Sequence, residues 1–547
     1  MSGQTAPLAR RGPRTPALPF SSGAYAGVGL PRYSAHHDTW PDVPTGPAGC
    51  DAASAGPAPT ETGLDASTRE LGAAPGGGGR WDAAVGDRGW LRTWPEDVPA
   101  TSNQQAGELP FQRWYRFKEA FAPRFVVDAL ESLPFRPATC LDPFAGSGTT
   151  ALTCQFLGVR PTTAEVNPFL ADLVEAKLAS YDLRALVSDR ERLHVLVAAE
   201  ADRLDPADGD AARAALAAGF AGAPPTFVEP GEKDRWIFDR AVALRLLAYR
   251  RAIAALAHPA HQRLFRVLLA SVVVPVSNVV ISGKGRRYRR HWRERPARPA
   301  AVDRLFDDAF RRALYDLTRF DDRRERAYTL LRGDVRALLG GAPATPGGVR
   351  DGTAGDGGTG HGAAPAGGAD VALFSPPYPN SFDYTDVYNV ELWALGYLGA
   401  AADNRTLREA TFRSHVQIKR DFGAGPLESP SLAAALDALA AEADRLWNPH
   451  IPAMLAAYFD DLARVLRGVR RALAPRGRAL LVVGDSRYAG VRVDVAAVVA
   501  ELAPALGFRC EARTAVRSMR SSPQQGGSFE LSESLLRLAP ERDVGPG

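Results

Sequence analysis

Lysine is almost missing from this chain. Of 66 basic residues only 5 are lysine, hence 61 are arginine. Glycine (52) and proline (43) are plentiful alongside alanine, so the arginine excess reads first as a compositional bias of the coding sequence. It is not by itself a sign of nucleic-acid binding. The formal net charge of +4 over 547 residues leaves the choice of partner open. Cysteine is scarce as well. Cys50, Cys140, Cys154 and Cys510 are scattered and form no C-x-x-C pair, which excludes a sequence-legible zinc site or disulfide framework. Reduced cysteines suit a cytoplasmic protein. No apolar run is long enough to span a bilayer. The arginines near the N-terminus are not followed by an apolar segment, so no secretory signal is expected.

The length suffices for one large or two ordinary domains. Residues 1–88 are rich in Gly, Pro, Ala, Ser and Thr and include Gly76-Gly77-Gly78-Gly79. Such a stretch buries too little to offset its ordering entropy and is expected to be disordered. The tract from Gly340 to Ala369 has the same character and reads as a surface insertion. Residues 541–547 read as a loose tail.

Two stretches carry chemistry. The first is Leu141-Asp142-Pro143-Phe144-Ala145-Gly146-Ser147-Gly148-Thr149-Thr150. It follows a short apolar strand and opens a helix over 149–157. Its glycines let backbone approach a ligand closely, and the helix start offers free N–H groups to a carboxylate. No lysine follows the last glycine, so a P-loop is excluded. A second strand, Pro161 to Ala164, ends in Glu165 with Asn167 just beyond. An acidic residue at that strand end is where a doubly wound fold hydrogen-bonds a ribose. A third strand, Tyr328 to Arg332, ends in Gly333-Asp334. The second stretch is Ser375-Pro376-Pro377-Tyr378, after the apolar run Val371-Ala372-Leu373-Phe374. Proline fixes φ and gives up its N–H, and the carbonyl remains an acceptor. With a small hydroxyl and a flat ring beside it, this lip could grip a planar amino heterocycle. A tight loop with a buried tyrosine is the plainer alternative.

Together the two stretches resemble the amino-methyltransferases of DNA, over roughly residues 110–180 and 325–540. The resemblance implies an α/β, doubly wound class I methyltransferase fold, a mostly parallel seven-stranded sheet with an inserted helical subdomain. It implies S-adenosyl-L-methionine as cofactor, held by Asp142, Pro143, Phe144, Gly146, Gly148, Thr149, Glu165, Asn167 and Asp334. Lys118 and Phe121, in the segment ahead of the first strand, are candidates to fold over the methionine end, with an aromatic packing helix as the alternative. Ser375, Pro376, Pro377 and Tyr378 would hold the target base. The serine form of this motif is most often seen with cytosine N4. Adenine N6, an RNA amino group, or a catalytically idle binding module stay open. No metal is implied. No cysteine lies near the serine motif, which argues against methylation at a ring carbon through a thiolate adduct.

These readings divide the chain into 89–180 and 325–540 as the two halves of a methyltransferase domain, with 181–324 inserted between them. The insertion shows apolar residues at helical spacing in Leu186–Leu204 and Trp236–Leu256. Within it, residues 281–295 hold seven Lys or Arg interleaved with glycine, Tyr288 and Trp292. Lys284, Arg286, Arg287, Arg289 and Arg290 are therefore assigned to phosphate contact, with Asn380 and Tyr384 lining the base pocket. A solvated basic loop is the alternative. Double-stranded DNA is the expected partner, with a restriction or phage-defence protein left open, and the expected location is the cytoplasm, at the nucleoid.

Overall fold

The structure, a computed structural model, describes residues 108–117, 120–204, 209–282, 285–294, 296–340, 368–425, 427–520 and 530–541. The expectations for residues 1–88, for most of the 340–369 tract, for the tail after 541, and for Lys118 and Lys284 lie outside these residues.

The strands are β1 (Thr139–Asp142), β2 (Arg160–Glu165), β3 (Val279–Ser282), β4 (Gly285–Tyr288), β5 (Thr329–Arg332), β6 (Ala369–Phe374), β7 (Leu473–Gly484), β8 (Ser486–Tyr488), β9 (Val491–Val493), β10 (Phe508–Arg520) and β11 (Glu530–Pro540). Seven of them form one sheet in the order β10-β11-β7-β6-β1-β2-β5. β5, β2, β1, β6 and β7 run parallel to one another, and β11 lies antiparallel between β7 and β10. This is the strand order of the class I methyltransferase fold, as the sequence led us to expect.

The helices preceding the insertion are α1 (Pro123–Glu131), α2 (Thr149–Leu157) and α3 (Pro168–Leu178). Those of the insertion are α4 (Leu183–Arg203), α5 (Gly209–Gly219), α6 (Arg240–Ala254), α7 (Pro259–Val273) and α8 (Pro299–Phe320). The rest are α9 (Val335–Leu338), α10 (Tyr384–Val387), α11 (Asn389–Ala394), α12 (Ala401–Ala410), α13 (Pro430–Ala441), α14 (Ile451–Ala472) and α15 (Val495–Leu502). Among the described residues, no helix is long and apolar enough to cross a membrane.

Alternation along the central strands sorts their side chains to two covered faces, the pattern of a parallel sheet buried on both sides. Val371, Leu373, Leu480 and Val482 join the α1 and α2 side, whereas Ala372, Phe374, Ala479 and Leu481 join α14 and α15. α2 is bounded by Gly148 and Gly158, both left-handed at φ 78° and 77°. Glycine tolerates that conformation without strain, which sets both ends of the helix.

The inserted helices do not form a separate core. Their apolar faces merge with α3, with Phe111, Trp114 and Phe117 ahead of α1, and with α11 in one continuous cluster. Asp316 on α8 fastens that N-terminal segment. Its Oδ2 accepts from Phe111 N at 2.9 Å, Trp114 Nε1 at 2.9 Å and Arg113 Nε at 3.1 Å, while Arg113 also reaches Oδ1. The carboxylate is fully buried. Removing one member of a buried ion pair strands the other. Asp316→Ala is therefore expected to cost about 3–5 kcal/mol in urea unfolding. A loss below about 1 kcal/mol would mean that the segment is held by its apolar contacts alone.

Candidate active site

β1 and β6 are hydrogen-bonded neighbours, with Cys140 beside Val371 and Leu141 beside Ala372. The two motifs therefore leave adjacent strands at the same, carboxyl-terminal edge of the sheet. This is also the point where the chain order reverses, since β2 flanks β1 on one side and β6 on the other. Doubly wound folds open their binding crevice at such a point.

The loop after β1 is tied at several atoms. Phe144 N donates to Asp142 Oδ1 at 3.0 Å, Ala145 N to the Ala164 carbonyl at 2.9 Å, and Gly148 N to the Ala145 carbonyl at 2.7 Å. Gly146 and Gly148 have φ of 53° and 78°. A Cβ on Gly146 would lie 3.3 Å from the Phe117 ring, and one on Gly148 would lie 3.2 Å from Val174. The loop is thus sandwiched between the N-terminal segment and α3. Pro143 leads into Phe144, whose ring contacts Phe374 and Phe412 across the two motifs. Thr149 starts α2 and its hydroxyl lies 3.2 Å from that of Ser147.

Glu165 closes the loop from the next strand. Its carboxylate accepts from Gly146 N at 2.9 Å and Asn167 N at 2.8 Å. Burial pushes both Glu165 and Asp142 up to about 7, against the backbone N–H groups that favour their charged forms. Asn167 caps α3 through Phe169 N and Leu170 N at 3.0 and 3.3 Å. Asp334 ends up more occupied than its sequence position suggests. It caps α9 through Arg336 N at 2.9 Å, and the Arg336 guanidinium grips the same carboxylate at 2.8–3.0 Å. Arg336 reaches on to Asp461 at 2.7 Å. Phe121 packs on Phe125 at 5.0 Å, on the α1 side of the sheet. The aromatic that faces the glycine loop is Phe117, stacked on Tyr388 at 5.3 Å and 6°. Of the two phenylalanines in this short segment, it is Phe117 and not Phe121 that touches the loop at Gly146.

On the acceptor side, Ser375, Pro376, Pro377 and Tyr378 follow β6 directly. Tyr488, from the β8–β9 hairpin, donates to the Pro379 carbonyl at 2.8 Å and holds the end of the motif. The Ser375 hydroxyl lies 3.3 Å from the Tyr378 hydroxyl, which in turn lies 2.6 Å from Glu533 on β11. Asn380 N bonds the Tyr378 carbonyl at 2.8 Å, and Tyr384 packs edge-on against Phe382 at the start of α10. Behind them Asp383 pairs with Arg408, beside His415, whose pKa burial lowers to about 4.

The basic run forms a hairpin of β3 and β4, with Ser282 paired to Gly285. Arg286, Arg287 and Arg290 are exposed. Arg289 is not directed outward. Its guanidinium donates to the carbonyls of Ser277 at 2.9 Å and Val274 at 3.0 Å, at the end of α7. Trp292 packs against Trp236 and Tyr288, so the aromatics of the run hold one another. Elsewhere in the insertion Asp189 Oδ2 meets Nδ1 of His258 and of His261 at 2.6 and 2.7 Å, pinning α4 to the start of α7.

No family model matches the chain. It is 30% identical over 164 residues to the Type II methyltransferase M.AvaI of Nostoc sp. and to that of Anabaena variabilis, covering 26% of this chain and 31% of each relative. The chain thus spans about a third of the length of those relatives. To the Type II methyltransferase M.BsoBI of Geobacillus stearothermophilus it is 23% identical over 465 residues, 76% of this chain and 82% of that one. Among solved structures, the rRNA methyltransferase aviRa from Streptomyces viridochromogenes aligns over 83% of this chain and 92% of its own at 13% identity, with a TM-score of only 0.23.

Lys177 was not singled out by sequence, because one lysine in an apolar helix looks like a surface position. It is fully buried. Its ammonium donates to the Ser147 carbonyl at 2.7 Å and to Gln112 Oε1 at 3.1 Å, bracing the glycine loop from behind. Burial lowers its pKa from 10.5 to about 7. The folded value lies below the unfolded one, so the unfolded chain binds more protons between those limits. Lys177 then burdens the fold most at and below neutral pH, and the burden fades as pH rises. The stability of the wild type relative to Lys177→Met should therefore rise by on the order of 1 kcal/mol per pH unit between about pH 7.5 and 9.5. Urea unfolding across that range measures it, and a pH-independent difference would show that the ammonium stays charged inside.

Proposed function

We propose that the chain transfers a methyl group from S-adenosylmethionine to the exocyclic amino group of a base in DNA, with N4 of cytosine as the acceptor atom. The observation that carries this reading is the adjacency of β1 and β6, which delivers the Asp142–Thr149 loop and Ser375-Pro376-Pro377-Tyr378 to one crevice. The similarity to Type II methyltransferases supports it.

The residues present fit the cofactor. Gly146 and Gly148 take the left-handed backbone that turns the loop back over the sheet edge, the start of α2 offers N–H groups to a carboxylate, and Glu165 stands at the second strand end for a ribose. Asp334 at the third strand end, neutralised by Arg336, retains acceptor capacity for an adenine amino group. When bound, the cofactor supplies an electrophilic methyl group on a sulfonium. The chain's own task is to prepare the nucleophile. An amino nitrogen on an aromatic base is weak because its lone pair is delocalised into the ring. Hydrogen bonds from its two hydrogens to the Ser375 hydroxyl and the Pro376 carbonyl would favour a tetrahedral nitrogen with a localised pair. In-line positioning then supplies much of the rate, and the nitrogen gives up one proton to solvent after it gains the methyl group. A stacked base cannot enter this crevice, so the target is flipped out of the duplex.

Incubation with isotopically labelled S-adenosylmethionine and DNA, followed by nucleoside mass analysis, tests the assignment. N4-methylcytosine is expected. N6-methyladenine would move the acceptor atom, and label in RNA alone would overturn DNA as substrate.

We assign phosphate contact to the β3–β4 hairpin through Arg286, Arg287 and Arg290. Arg289 is excluded, since it braces α7. Replacing those three by alanine is expected to weaken DNA binding and to flatten the slope of log affinity against log salt by about two to three units. Cofactor binding should survive. An unchanged slope would make the hairpin a solvated face.

A further inference from the structure

A serine hydroxyl holds one proton and two lone pairs, so it can either give or take a hydrogen bond. To grip a substrate amino group, Ser375 must take one. Its own proton then needs a different acceptor, and the structure provides a directed chain for it. The Ser375 hydroxyl lies 3.3 Å from the Tyr378 hydroxyl, and that hydroxyl lies 2.6 Å from Glu533 Oε1. A carboxylate can only accept. Tyr378 must therefore donate to Glu533, which leaves its oxygen to accept from Ser375. The Ser375 oxygen then keeps its lone pairs to accept from a substrate.

The far end of the chain is anchored as well. Glu533 is buried, on β11 directly opposite Gly484 of β7, at the same sheet edge as the serine motif. Arg517 on the neighbouring β10 stands 3.2 Å from Oε2 and 3.4 Å from Oε1. Burial and the adjacent Glu533 carboxylate hold the Tyr378 hydroxyl well above its ordinary range, so it keeps the proton it donates.

We infer that Glu533, acting through Tyr378, is a positioning residue that fixes the Ser375 hydroxyl as a hydrogen-bond acceptor toward the substrate amino group. This role rests on the amino-methyltransferase reading. It also gives Tyr378 a second task besides offering its ring to a flipped base, and it gives a strand far from both motifs a part in the chemistry.

Glu533→Gln is the informative change, because it keeps shape and removes the fixed direction. Arg517 would claim the amide oxygen and turn the amide NH2 toward Tyr378, reversing the chain so that Ser375 points its proton at the substrate. The single-turnover methyl-transfer rate, at saturating S-adenosylmethionine and DNA, is expected to fall about 10- to 100-fold. Dissociation constants for both ligands should stay within about twofold. Tyr378→Phe interrupts the same chain one link earlier, leaving the Glu533–Arg517 pair, and should lower the rate comparably. The double variant should then be no slower than Tyr378→Phe alone, because one chain is broken once. A wild-type rate in Glu533→Gln, or multiplicative losses in the double variant, would overturn the role. If the unaltered chain labels no amino group, the amino-methyltransferase reading fails and takes this inference with it. Labelling by the unaltered chain with an unchanged variant sinks the inference alone.

Discussion

Everything at this site depends on the pairing of β1 with β6. It joins two stretches that the sequence holds far apart, and it is locked at the edge opposite the crevice. There Asp370 Oδ2 accepts from Ala138 N at 2.7 Å and from Thr139 N at 3.0 Å, 231 positions away, while Asp370 N donates to Thr139 Oγ1 at 2.9 Å. A slip of one residue would exchange the two faces of β6, sending Phe374 to the α1 side and Leu373 toward α14. It would also carry Ser375 out of step with Asp142. Register at one end of the seam therefore sets geometry at the other.

The parts of the fold and site that were legible in the sequence are those with local signals. The glycines at 148 and 158 bracket α2 at the bounds its sequence suggested, and both stand in the left-handed conformation that glycine takes without strain. The strand ends at Asp142, Glu165, Asp334 and Ser375 were legible because apolar runs stop there at polar residues. What escaped had only long-range causes. Glu533 lies within a strand whose alternation looks ordinary, and it gains meaning only from an antiparallel pairing with β7. Lys177 carries no local sign of burial. The charge of the basic run is legible but its backbone is not: Val279–Ser282 and Gly285–Tyr288 pair as a hairpin.

The arginine excess has a structural use that composition could not disclose. Arg323 donates to the carbonyls of Lys177, Leu178 and Ala179 at the end of α3. Arg289 does the same at the end of α7, and Arg420 takes the carbonyls of Arg408, Thr411 and Phe412 after α12. The last carbonyls of a helix lack partners and sit at the negative end of its dipole. A planar fork of five donors can satisfy several of them at once, where an ammonium would serve as a point charge. Arginines spent in this way are removed from any nucleic-acid ledger. That distinction divides Arg289 from its exposed neighbours Arg286, Arg287 and Arg290, which composition alone would treat as equals.

The same economy ties the insertion to the crevice. Asp172 on α3 is nearly buried and accepts from Arg266 of α7 at 3.0 Å, Arg332 of β5 at 2.9 Å and Tyr397 beyond α11 at 2.6 Å. Glu175, one turn on, meets Arg263 of α7 at 3.1 Å. α3 follows Glu165 by three residues, and the β3–β4 hairpin follows α7 by six. The basic hairpin and the glycine loop are thus carried by two helices packed face to face and cross-linked through the buried Asp172 and its half-buried partners. Moving α7 against α3 would break the Asp172 node, where removing one partner leaves other charges stranded.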